Sequence, residues 1–146
     1  SLGSMSVKEI KITNLDRIAV RGGAGDVLHC MKKTDPGFIE FGEAYFSLIE
    51  YKAIKAWKKH LKMTLNLVVP VGQTKFVFFD KEGNTREEFI GSDRYLRLTV
   101  PPGIWFGFQG MSKSTSLILN IASMEHDPLE VERKDLEEIN YPWSLS

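Results

Sequence analysis

The sequence is poor in several features that would each point somewhere definite. It has one cysteine, Cys30, which excludes an internal disulfide framework and suits a reducing compartment. It has no excess of charge. Lys and Arg number 19 and Asp and Glu number 19, so the total draws it neither to nucleic acid nor to an anionic membrane. No apolar run approaches the ~18–20 residues that span a bilayer. The longest, Leu65-Asn66-Leu67-Val68-Val69-Pro70-Val71, is broken by proline and reads as a buried strand. There is no internal repeat, linker or low-complexity tract, and the start lacks a charged segment followed by a long apolar core. Ser1-Leu2-Gly3-Ser4 ahead of Met5 reads as an expression scar, leaving 5–146 as one expected domain, soluble and cytoplasmic. What is present is ordinary for a globular chain: 146 residues, 42% hydrophobic and 26% charged, enough to bury roughly 68–70% of the unfolded surface.

The apolar runs are short, rich in β-branched and aromatic residues, and separated closely by turn residues. The pattern predicts strands over 10–13, 17–20, 27–31, 43–51, 54–60, 64–69, 74–80, 95–100, 105–109 and 116–122. Lys81-Glu82-Gly83-Asn84 reads as a hairpin loop, and Pro101-Pro102-Gly103 ends a strand that could not contain it. Gly22-Gly23-Ala24-Gly25 is followed by a strand-like run rather than a helix, so it reads as a tight turn and not a phosphate loop. Only the tail looks helical, with Asp127-Pro128 at its start and Leu129, Glu132, Arg133 and Leu136 at helical spacing. Spacing of this kind indicates an all-β antiparallel sandwich or barrel with a short C-terminal helix.

Two turns carry a resemblance. Lys58-x-His60, four residues, Leu65, six residues and Gly72 reproduce the spacing of the first motif of the cupins, which are double-stranded β-helices or jelly rolls. Pro101-Pro102-Gly103-Ile104-Trp105-Phe106 matches their second motif, Pro-x-Gly-x-x-His. Three of the four metal-ligand positions hold Lys58, Leu65 and Phe106, none of them a metal donor, so no metal is expected. The run Val100 to Phe108 resembles the Pro-Pro-Gly-x-x-His-Gly-Phe segment of the dTDP-4-dehydrorhamnose 3,5-epimerase family, and the likeness extends from about Asp26 to Asp127. Matched residue by residue, that family's motif arginine falls at Lys55, its histidine base at Lys58, its lysine near Leu65, its tyrosine acid near Asn120 and its Pro-Pro-Gly histidine at Phe106.

The resemblance implies a cupin jelly roll and epimerisation or ketoisomerisation of a nucleotide-linked 4-keto-6-deoxy sugar in surface polysaccharide synthesis, without cofactor and as a homodimer. Such chemistry needs a base of near-neutral pKa and a positive group beside the developing enolate. His60, two residues beyond Lys58, shares its strand face and is the expected base, with Lys58 or Lys55 steadying the enolate or contacting a diphosphate. Asn66, Tyr95, Arg97 and Asn120 are the expected substrate contacts. His126 is a weaker candidate at the barrel mouth, His29 reads as structural, and Trp57, Trp105, Phe106 and Phe108 read as core or cavity wall. Ile10–Val20 is the segment expected at a dimer edge. Two other classes stand beside this one. They are a non-catalytic sugar-nucleotide or carbohydrate binder, favoured by the replaced acid–base positions, and a metal-dependent cupin, which those same replacements oppose.

Overall fold

A computed structural model describes residues 5–144; the expected scar at 1–4 lies outside the described residues. The strands are β1 (Lys11–Asn14), β2 (Arg17–Ala19), β3 (Asp26–Leu28), β4 (Glu43–Ile49), β5 (Ile54–His60), β6 (Leu65–Val71), β7 (Gln73–Phe79), β8 (Thr85–Gly91), β9 (Leu96–Val100), β10 (Trp105–Gly110), β11 (Ser116–Ala122) and β12 (Val131–Arg133). Two five-stranded antiparallel sheets form, ordered β1-β9-β6-β11-β4 and β12-β5-β10-β7-β8, with β2 and β3 as a separate two-stranded ribbon. This is the expected all-β jelly roll. The glycine-rich stretch is the β2–β3 turn, as its sequence indicated.

Strand alternation decides what lies between the sheets. Leu65, Leu67 and Val69 of β6, Leu96, Leu98 and Val100 of β9, and Phe76 and Phe78 of β7 all join one buried cluster. Each such side chain contributes about 1.5–3 kcal/mol by leaving water. The opposite faces of β6 and β9 carry Asn66, Arg97 and Thr99, and the segment 29–37 lies over them. At Gly37 a side chain is excluded, since a Cβ would sit 2.3 Å from Thr99 Oγ1 and φ is +89°.

The expected C-terminal helix does not form. Asp127 does cap a turn, its side chain accepting from Leu129 N at 2.9 Å, but the turn is a single 3-10 stretch, Pro128–Glu130, and a second follows at Leu136–Glu138. Between them β12 pairs with β5, Val131 opposite His60 and Arg133 opposite Lys58. Covering an open sheet edge outweighs a weak helical pattern whose supposed apolar face begins with Leu129, 88% exposed.

Candidate active site

One strand brings the cationic and basic side chains together through an irregularity. Along the β5–β10 pair, Lys58 lies opposite Phe106 but Ala56 lies opposite Gly107, so Trp57 is an unpaired extra residue. Without it, Lys55 and Lys58, three apart, would face opposite ways. With it, Lys55 opposite Phe108, Lys58 opposite Phe106 and then His60 share the inner face. Trp57 itself turns outward, 1% exposed, and packs edge-on to Phe79 with ring centroids 5.4 Å apart. The bulge requires Gly107, where a Cβ would meet that of Ala56 at 2.5 Å.

This inner face borders a cavity of about 700 Å³ on the side of the sandwich where β4 and β5 lie. Tyr45 of β4, Lys58 and His60 of β5, Phe106 of β10, Asn120 of β11 and Arg133 of β12 reach it. A side chamber of about 250 Å³ shares Tyr45, Lys58, His60 and Arg133 and adds Glu43 and His126. Lys55 Nζ donates to the Leu48 carbonyl at 3.0 Å, across the gap between the sheets.

His60 is 7% exposed and Glu130 2%. Their contact, Nδ1 to Oε1, is 2.5 Å. The other carboxylate oxygen accepts from the backbone N–H of Lys62 and Met63, both at 3.2 Å. Burial pushes the Glu130 carboxyl upward, but the His60 and backbone hydrogen bonds outweigh it and hold the group below its ordinary value. Burial is also the largest influence on His60 and drives its pKa down; Lys58 and Arg133 add to this, while Glu130 opposes it. At neutral pH the pair is therefore an imidazole donating Nδ1–H to a carboxylate, with Nε2 left as a free base. The ring stacks on Phe106, centroids 6.2 Å apart and planes 20° apart. Lys58 is shifted down by burial, then by the like charges of Arg133 and Lys55, which border the cavity with it.

Of the side chains expected at the site, His60, Lys58, Lys55 and Asn120 line this cavity. Asn66, Arg97 and Tyr95 do not, and the assignment of these three is corrected here. Inward-facing Leu65 and Leu67 put Asn66 on the other side of the sheet, where its Oδ1 accepts from Arg97 Nε at 3.1 Å and Thr99 Oγ1 at 2.6 Å. Arg97 also donates to the carbonyls of Cys30 at 2.7 Å and Pro36 at 2.6 Å. Tyr95 Oη donates to the His29 carbonyl at 2.7 Å. These groups hold the segment 29–37 to the sheet. Sequence reasoning missed Glu130, Tyr45 and Arg133. Tyr45 had a signal, because Glu43, Tyr45 and Ser47 alternate with Ala44, Phe46 and Leu48; here the polar set faces inward. Glu130 lies 70 residues from His60, and nothing local announces it.

The four cupin ligand positions carry no cluster of donors, and among the described residues no three of His, Cys, Asp and Glu gather as a metal site would require. Fold and site together define a cupin in which a carboxylate-held histidine and cations line a hollow. No family model matches the chain. It is similar to the spore coat polysaccharide biosynthesis protein SpsL of Bacillus subtilis, 25% identical over 123 residues that span 77% of this chain and 82% of that protein. A crystal structure of a dTDP sugar isomerase from Desulfovibrio desulfuricans aligns with a TM-score of 0.88 and 32% identity, over 94% of this chain and 92% of that one. A sugar 3,4-ketoisomerase from Thermoanaerobacterium thermosaccharolyticum, crystallised with TDP, shares the fold at TM-score 0.75 and 15% identity, over 88% and 90%. The chain belongs to the nucleotide-sugar isomerase and epimerase family of the cupins, as the Pro-Pro-Gly segment suggested.

Proposed function

We propose that this protein is an isomerase or epimerase of a dTDP-linked 4-keto-6-deoxy sugar, serving surface polysaccharide synthesis. The observation that carries the reading is the His60–Glu130 pair, a neutral base oriented by an ionised carboxylate, beside Lys58 in the cavity. His60 Nε2 removes the proton from a carbon next to the C4 ketone, and the C–H electron pair passes into an enolate. The Lys58 ammonium stabilises the enolate oxygen. Return of a proton to the opposite face of that carbon completes an epimerisation; return of a proton to C4 instead, with the C3 hydroxyl proton passing to the C4 oxygen, completes a ketoisomerisation. Protons move and nothing is oxidised overall. Lys55 and Arg133 hold the diphosphate, and the Tyr45 hydroxyl is the acid across from the base. Because the tyrosine position of the resembled epimerases holds Asn120, this places the phenol on the adjacent strand.

The reading includes a homodimer in the cytoplasm. Phe46 and Leu48, 63% and 60% exposed on the outer face of β4, and Ile18, Val20 and Val27 on the β2–β3 ribbon are apolar surface that a second copy would cover. The expected edge segment Ile10–Val20 pairs within the chain as β1 on β9 and β2 on β3, and β1 is an outermost strand. Among the described residues no helix is long and apolar enough to cross a membrane.

The test is incubation with dTDP-4-keto-6-deoxyglucose in heavy water, following C3 and C5 by NMR. Deuterium incorporation that His60→Ala abolishes supports the enzyme. Binding without incorporation above buffer supports the sugar-nucleotide binder instead.

A further inference from the structure

Four buried side-chain polar atoms lack a hydrogen-bond partner among the described residues: Thr74 Oγ1, Gln109 Oε1, Asn120 Oδ1 and Trp143 Nε1. Of these residues Asn120 lines the cavity. It is 5% exposed, and it sits between inward-facing Ile118 and Ala122 on β11, opposite Leu67 on one side and Tyr45 on the other. Its Nδ2 donates to Tyr45 Oη at 2.9 Å. That bond uses a lone pair of the phenol and directs the Tyr45 proton away from Asn120. The amide carbonyl is left as an acceptor without a donor. A buried amide oxygen with nothing to accept is disfavoured, so its place beside a hollow points to a donor supplied from outside the chain.

We infer that the Asn120 carbonyl accepts a hydrogen bond from a hydroxyl of the bound sugar, which makes Asn120 a specificity-determining residue of the site. The inference rests on the function proposed above. The sugar, rather than the nucleotide, is the source of the donor because Lys55 and Arg133 engage the diphosphate, whereas Asn120 lies beside Tyr45, among the groups that act on the sugar. A neutral carbonyl suits a neutral hydroxyl, and a site built around such a pair rejects an analogue lacking the donor. Asn120 then has two tasks. It turns the Tyr45 hydroxyl toward the substrate and fixes the sugar against it.

The experiment is calorimetric titration of wild type, Asn120→Leu and Asn120→Asp with dTDP-4-keto-6-deoxyglucose and, separately, with dTDP. Asn120→Leu removes the acceptor, whereas Asn120→Asp keeps it. The expected result is sugar-nucleotide affinity about tenfold weaker in Asn120→Leu with dTDP affinity within about twofold, and most of the loss recovered in Asn120→Asp. Asn120→Ala supplies the acceptor-free comparison if Asn120→Leu does not fold. Equal weakening of both ligands, or of neither, overturns the inference and leaves the nucleotide-sugar reading standing, as does Asn120→Asp binding no better than Asn120→Leu. Wild type that binds neither ligand overturns both.

Discussion

Two buried polar groups lie on opposite faces of the same sheet, and they differ in one respect that separates architecture from chemistry. On the outer face, Asn66, Arg97 and Thr99 bond to one another and to the Cys30, Pro36 and Gly37 carbonyls, and these contacts stay within the chain. On the inner side, Asn120 keeps an orphan carbonyl and Tyr45 a proton aimed away from it, and on the facing sheet His60 keeps a free Nε2. Asn66 and Asn120 each interrupt an apolar strand, and in the sequence they look alike. A polar cluster closed on itself holds a loop in place, whereas one left open has a ligand to meet.

The sharpest break in that comparison comes from His60→Ala, which should lower turnover about 10³-fold while dTDP binding stays near wild type; isotope exchange and calorimetry measure both. Arg97→Met should do the reverse. It strands the Cys30 and Pro36 carbonyls and costs about 3 kcal/mol of stability, read from urea unfolding, with turnover per folded molecule preserved.

Glu130→Gln tests the positioning of the base. Turnover should fall roughly ten- to a hundredfold, and the pH profile gives the sign. His60 works only when neutral, and burial holds its pKa below 6.5, so the acid limb of kcat/KM should lie below pH 6.5 in wild type. Glu130 pulls that pKa upward, so its removal should move the limb lower still. A limb moving upward would contradict the dyad. The smallest effect belongs to Lys55→Met, which should weaken dTDP binding about fivefold at low ionic strength and less in high salt, since exposed charges are screened.

Most of the fold was legible from the chain. β5 and β11 run over the residues their alternation indicated, and the turns at Gly72 and Pro101-Pro102-Gly103 were recognisable enough to reveal the family. The β8 strand was implied by its hairpin loop but not delimited, because Thr85–Gly91 is an edge strand that mixes in Arg86, Glu87 and Glu88 and so lacks a clear apolar alternation. The tail misled, since Asp127-Pro128 starts a single turn as readily as a helix and the pairing of β12 with β5 is invisible locally. At the site, His60 and Lys58 followed from their spacing, whereas Lys55 faces them only because Trp57 is an unpaired residue.

The sequence by itself determined the strands, the turns and the kinship, because each rests on residues near one another in the chain: period-two alternation, and glycines and prolines where the backbone must bend. Tertiary structure alone decided which side of each strand faces inward, and hence that Asn120 belongs to the cavity while Asn66 and Arg97 do not. It also brought Glu130 to His60. A pattern of period two specifies two faces without saying which is inside, and only the packing of one sheet against the other makes that choice.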